Sequence, residues 1–172
     1  MERITILTNP EKKTKLLNWE TLKQMTPEQL EIIINGCHTG SDIDGVAVKY
    51  DKGVVRKDHY PNMNTYYPKA KRNEFIDGKS VDIFITGRKY RYRKITYESL
   101  KNLGISCKYI IFTPKGFKKS KLSLAEYKAD VINKLQLSKY YEDDREIHNF
   151  LRSYCPNTEI IKVGGPAITT LG

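Results

Sequence analysis

The second half of the chain is built from short apolar runs separated by amphipathic segments, and this alternation limits the fold more than any other feature. Val81-Asp82-Ile83-Phe84-Ile85 is followed by helical spacing over 92–103, an apolar run at 108–112 and a basic loop. A helical pattern from 123 to 136, a run at 138–141, a helical pattern at 144–154 and a last run at 159–163 complete the series. Continuously apolar runs suit strands buried on both faces, and the helices between them supply the crossovers that parallel neighbours require. The spacing predicts an α/β protein with three layers and a mostly parallel, Rossmann-like central sheet. A chain of 172 residues is long enough for one such core and too short for two ordinary domains.

The preceding residues are less regular. Arg3 to Leu7 alternates like a short strand, and Asn18 to Met25 has helical spacing. Thr26-Pro27-Glu28-Gln29 reads as a helix start, with Thr26 as N-cap, Pro27 at the first helical position and Gln29 completing a capping box; Gly36 ends that helix. Residues 1–36 are therefore expected as a helical lead-in packed on a main domain of residues 37–172, the two forming one compact unit. Cys37-His38-Thr39-Gly40-Ser41 makes a poor buried strand because it has no apolar run. Val46 to Val55 reads as two short strands around Asp51-Lys52-Gly53, a small hairpin. The stretch with Pro61, Pro68, Tyr60, Tyr66, Tyr67, Lys69, Lys71 and Arg72 is expected to be mostly loop.

In open α/β sheets ligands bind beyond the carboxyl ends of the strands. Thr86-Gly87-Arg88 directly follows the run at 81–85, and Asp143-Asp144 follows the run at 138–141, so both fall at such ends. With the upstream pair Asp42 and Asp44 they supply the parts of a metal-assisted phosphoryl transfer through an aspartate. One carboxylate attacks phosphorus, a second moves the proton, a hydroxyl holds phosphoryl oxygens, and the remaining carboxylates bind a hard divalent cation. Each piece also has an ordinary reading. Asp42 and Asp44 can be turn acids before Gly45, Thr86-Gly87 a strand-ending turn, and Asp143-Asp144 the cap of the next helix. His38, His59 and His148 lack metal-ligand spacing, and the absence of a GxxxxGK[ST] loop argues against an ATP-driven kinase.

In their order and setting these residues resemble the motifs of the haloacid dehalogenase-like (HAD) phosphohydrolase superfamily, over about Asp42 to Val163. The resemblance implies a HAD fold with a small flap hairpin and no large cap. It makes Asp42 the nucleophile, Asp44 the general acid and base, Thr86 the phosphoryl-binding hydroxyl and Lys128 the neutralising cation. It implies a Mg2+ site formed by Asp143 and Asp144 with the Asp42 carboxylate and the Asp44 backbone carbonyl. Thr86-Gly87-Arg88 together with Tyr141-Glu142-Asp143-Asp144-Arg145 also looks like the 3′-phosphatase module of polynucleotide kinase-phosphatases. In that comparison Gly87 and Arg88 contact the substrate phosphate.

Charge bears on the substrate. Residues 45–122 carry 19 basic and 6 acidic side chains, a net +13 in a chain whose total is +10. Such a concentration attracts polyanions. Arg88-Lys89-Tyr90-Arg91-Tyr92-Arg93-Lys94 can either track a phosphate backbone with tyrosines stacked on bases, or be a helix start with a wet basic face and core tyrosines. The expected activity is a magnesium-dependent phosphatase for nucleic-acid ends or nucleotides. The alternatives are a non-catalytic HAD-like nucleic-acid-binding accessory protein and a small-molecule nucleotidase or sugar phosphatase. No run approaches a membrane span, and Cys37, Cys107 and Cys155 form neither a CxxC pair nor an even set, which points to a reducing, cytoplasmic setting with free thiols.

Overall fold

The computed structural model describes residues 13–51, 53–54 and 60–164, so the strand expected at Arg3–Leu7 lies outside the described residues. The chain begins with β1 (Lys15–Asn18), helices α1 (Trp19–Lys23) and α2 (Pro27–Gly36), and β2 (Thr39–Ser41). An excursion follows, with β3 (Val48–Lys49), α3 (Met63–Tyr66) and β4 (Lys71–Arg72). Regular alternation then sets in: β5 (Ile83–Ile85), α4 (Arg93–Asn102), β6 (Tyr109–Phe112), α5 (Lys121–Leu135), β7 (Lys139–Glu142), α6 (Arg145–Tyr154) and β8 (Glu159–Lys162). The main sheet has the order β1-β6-β5-β2-β7-β8, and all five pairings are parallel.

Successive side chains of a strand point to opposite faces, so each apolar run feeds two cores. Ile83, Ile85 and Ile111 pack with Leu22, Ile33, Ile132, Leu135 and Leu151 on the side of α1, α2, α5 and α6. Phe84, Ile110 and Phe112 pack with Leu100 and Ile105 from the α4 side and with Ile43, Val48 and Ala70 from the excursion. The fold is thus the expected α/β sandwich around a parallel sheet.

Helix starts follow the chemistry of their first residues. Thr26 and Gln29 form the capping box at α2, and Ser120 with Ser123 forms another that opens α5 two residues before the apolar pattern begins. Asp144 caps α6 by accepting the Ile147 amide at 3.0 Å. No helix among the described residues is long and apolar enough to cross a membrane.

Three local features differ from the sequence expectation. The lead-in is not helical throughout, because Lys15–Asn18 pairs residue by residue with Tyr109–Phe112 as an edge strand of the main sheet. Only Leu16 and Leu17 are apolar in that run, too few to register as a periodic pattern. Second, β3 pairs antiparallel with β4, Val48 opposite Arg72, so the hairpin is closed by Lys71–Arg72 while Gly53 and Val54 lie in a turn. Third, the polar Thr39–Ser41 does form a strand, and it lies between β5 and β7 at the middle of the sheet. Its start is held by the Asp82 carboxylate, which accepts the His38 and Thr39 amides at 2.8 and 3.0 Å.

Candidate active site

In the chain, β2 is followed by β5 on one side of it, and α5 then carries the chain back to β7 on the other side. This reversal opens a crevice at the carboxyl ends of three adjacent strands, the usual ligand position in open parallel sheets. Asp42 follows β2, Thr86 follows β5, and Glu142 and Asp143 end and follow β7. A cavity of about 360 Å³ opens there, lined by Asp42, Asp44, Gly87, Arg88, Lys128, Glu142 and Asp143 among others.

The floor of the cavity is a buried charge cluster. Lys128 projects from α5 with 1% of its side chain exposed, and its Nζ lies 2.8 Å from Glu142 Oε1 and 3.3 Å from Asp42 Oδ2. Asp42 Oδ1 accepts the Ile43 amide at 2.8 Å, and the Asp42 amide donates to the Tyr141 carbonyl at 3.0 Å, tying the β2 end to β7. Carboxylate oxygens of Asp42, Glu142 and Asp143 lie within 4.8 Å of one another, close enough to hold a metal ion. Burial raises the Asp42 pKa well above the usual carboxylate range; Lys128 opposes this, and Glu142, Asp143 and Asp44 reinforce it. Burial and then Glu142 push Asp143 up to about 6. Burial also works against the Lys128 ammonium, yet Asp42 and Glu142 outweigh it and raise its pKa. Crowded carboxylates disfavour one another's ionised form, and a cation held among them would offset that penalty.

Asp44, two residues beyond Asp42, is held differently. Arg88 Nη2 and Nε donate to its two oxygens at 2.7 and 3.0 Å, and Arg88 Nη1 donates to Thr96 Oγ1 at 3.2 Å. The guanidinium lies 3.6 Å from the centre of the Tyr67 ring. Arg88 is therefore buried between Asp44, α4 and an aromatic face. Its planar fork fixes the Asp44 carboxylate, a geometry that Lys cannot reproduce. Tyr50, Tyr66 and Tyr67 line this wall, with Tyr50 and Tyr66 stacked at 4.3 Å.

Thr86 is fully buried, and its hydroxyl accepts the Arg88 amide at 3.1 Å, shaping the turn that presents Gly87 and Arg88 to the cavity. A Cβ on Gly87 would come 3.1 Å from Leu124 Cδ1, so a side chain there would crowd the mouth. Gly45 has a sharper requirement. Its φ is +88°, and a Cβ would fall 1.8 Å from Asp143 Oδ2, so only glycine lets the chain turn past the acid cluster.

The structure brings Asp42, Asp44, Lys128 and Asp143 together with the Thr86-Gly87-Arg88 turn. It does not bring the Asp144 carboxylate into the acid cluster: that group caps α6 and meets Lys121 Nζ at 3.1 Å, and these partners lower its pKa against the effect of burial. Glu142 takes the inner position instead. Glu142 lies outside the apolar run at 138–141, because β7 extends one residue beyond it. Period-two spacing carries the signal, since Glu142 shares a face with buried Tyr140, whereas Asp144 is the N-cap directly before α6. Of the tyrosines in the basic segment, Tyr92 is buried and Tyr90 is half-buried on Phe112, as a helix start with core tyrosines requires.

No family model matches the chain, and no curated protein matches it. Among solved structures, the fold matches a chain in the "Structure of the Pnkp1/Rnl/Hen1 RNA repair complex" with a TM-score of 0.54 and 15% sequence identity, over 73% of this chain. The match spans 42% of that chain, less than half its length. At this identity the likeness is one of fold, an α/β architecture with a parallel central sheet flanked by helices.

Proposed function

We propose that the protein is a phosphatase that hydrolyses phosphate monoesters on nucleic-acid ends or nucleotides through an aspartyl-phosphate. The observation that carries this reading is the meeting of Asp42 with Lys128, Glu142 and Asp143 in one cavity, two residues from an Asp44 held by Arg88. The likeness in fold to a chain of an RNA repair complex supports the nucleic-acid side of the reading.

Asp42 attacks phosphorus as the ester P–O bond breaks, and Asp44, entering the cycle protonated, gives the departing oxygen its proton. Asp44 then takes a proton from water, which attacks the acyl phosphate and returns Asp42 to a free carboxylate. Lys128 stabilises the Asp42 carboxylate before attack, and Gly87, which lines the cavity on the turn that Thr86 shapes, offers its backbone amide to the phosphoryl oxygens. Arg88 acts as a positioning residue that keeps Asp44 aimed. The donor set of Asp42, Glu142 and Asp143 fits Mg2+, an ion that takes a few carboxylates and keeps several waters. When bound, such an ion would supply positive charge against the negative charge that develops on the phosphoryl group. The unit in this reading is not confined to residues 37–172, because β1 at Lys15–Asn18 is an edge strand of its sheet.

The test is phosphate release in Mg2+ from p-nitrophenyl phosphate, mononucleotides and 3′-phosphorylated DNA and RNA oligonucleotides. Wild type is expected to release phosphate, and Asp42→Asn to release none while keeping the wild-type circular dichroism spectrum. Unchanged turnover in Asp42→Asn would sink the mechanism; binding without turnover on every substrate would instead identify a non-catalytic binding protein.

A further inference from the structure

A second cleft, of about 400 Å³, opens at the same end of the sheet, beyond β1 and β6. Its lining includes Lys89, Arg91, Arg93 and Lys115, together with the rings of Tyr90 and Phe117, and none of its lining residues is acidic. The Arg93 guanidinium lies 4.2 Å from the centre of the Tyr90 ring, and its Nη1 donates to the Tyr90 carbonyl at 3.2 Å, so a cation is held over an aromatic ring. Phe117 is anchored behind by Tyr127, with ring centres 5.7 Å apart. The loop that carries Lys115 is fixed where its amide donates to Glu20 Oε2 at 2.8 Å.

The two clefts share a wall. The Arg88 side chain faces the acid-lined cavity, its carbonyl accepts from the Thr113 amide and hydroxyl at 3.3 Å each, and the next residue, Lys89, already lines the second cleft. An anionic polymer with its end in the first cavity can therefore extend over the second. The chemistry of the second cleft is mixed: four cations neutralise phosphates, while the Tyr90–Arg93 stack and Phe117 offer flat faces to bases. Polyphosphate has no use for the flat faces, and a duplex keeps its bases stacked inside.

We propose that this cleft binds the single-stranded nucleotides adjoining the terminal phosphate, so that the substrate is a single-stranded oligonucleotide and not a mononucleotide. The position of the terminal phosphate rests on the phosphatase reading; occupation of the cleft by single strand does not.

The experiment uses the full chain and the exposed double variant Arg91→Gln/Arg93→Gln, with circular dichroism to verify folding. Fluorescence anisotropy follows a labelled single-stranded oligonucleotide, with and without a 3′-phosphate, across a salt series. The variant is expected to bind at least tenfold more weakly, and its log–log salt slope to fall by about 1.4 for two lost phosphate contacts. Duplex of the same sequence and inorganic polyphosphate are expected to compete at least tenfold less well than single strand. For phosphate release, the variant's loss of kcat/KM on the phosphorylated oligonucleotide should exceed its loss on p-nitrophenyl phosphate by about the same factor. Unchanged affinity and slope in the variant, or polyphosphate competing as well as single strand, overturns the proposal even where phosphatase activity is found. Weakened binding in the variant with no turnover on any substrate supports the cleft and removes the phosphatase reading instead.

Discussion

Lys128 has the most to lose from substitution. Removing a buried ammonium leaves Asp42 and Glu142 facing each other without compensation, and breaking a buried ion pair of this kind costs roughly 3–5 kcal/mol. Lys128→Met is expected to lower unfolding free energy by about that amount in urea titrations and to abolish phosphate release. Asp143 and Asp144, neighbours in sequence, are expected to separate cleanly in function. Asp143→Asn should remove the stabilisation that Mg2+ confers in thermal melts. Asp144→Asn should retain it, because asparagine caps a helix nearly as well as aspartate, whereas Asp144→Ala should cost about 1 kcal/mol of stability with metal binding intact. If Asp144→Asn also removed the Mg2+ response, the assignment of Glu142 to the inner position would fall.

Among the elements, β2 explains both what the sequence disclosed and what it concealed. Strands β5, β6 and β8 and helices α4, α5 and α6 were legible because apolar periodicity is strong where an element must cover a core. β2 is central yet polar and small: a Cβ at Gly40 would lie 2.7 Å from Leu137 Cδ1 and 3.1 Å from Tyr140 Cδ1, so neighbouring side chains already fill the space a larger residue would claim. A hydrophobicity pattern cannot register a strand made by the absence of side chains. Gly40→Val is therefore expected to destabilise the protein by roughly 1–3 kcal/mol through overpacking, measurable as a lowered urea midpoint, although valine favours strands. β1 was concealed for the opposite reason, being a short edge strand whose two leucines carry no period. The boundary of β7 displaced the acid pair by a residue, so the sequence places Asp42, Asp44, Lys128 and Asp143 at the candidate cavity but not Glu142.

For the whole molecule, the site links stability to pH. The folded-state pKa of Asp143, about 6, lies above the ordinary carboxylate value, so between about pH 4 and 6 the folded protein holds a proton that the unfolded chain has released. The metal-free protein is therefore expected to lose stability as pH rises through that window, in so far as Asp143 governs it. A cation that binds the ionised carboxylates reverses the trend. The melting-temperature gain on adding Mg2+ should be large at pH 7.5 and should fade as pH falls below about 6, where protons compete for the same oxygens. An equal gain at pH 5 and pH 7.5 would remove Asp143 from the metal site.

The cluster beneath the cavity also has a simple charge balance. With every carboxylate ionised, Asp44 is matched by Arg88, and among the four side chains Asp42, Glu142, Asp143 and Lys128 the acids exceed the lysine by two charges. A divalent ion brings that sum to zero, a monovalent ion leaves a deficit, and a trivalent ion overshoots. In the proposed reading, the ratio of acids to lysine thus favours a divalent ion before size or coordination number enters.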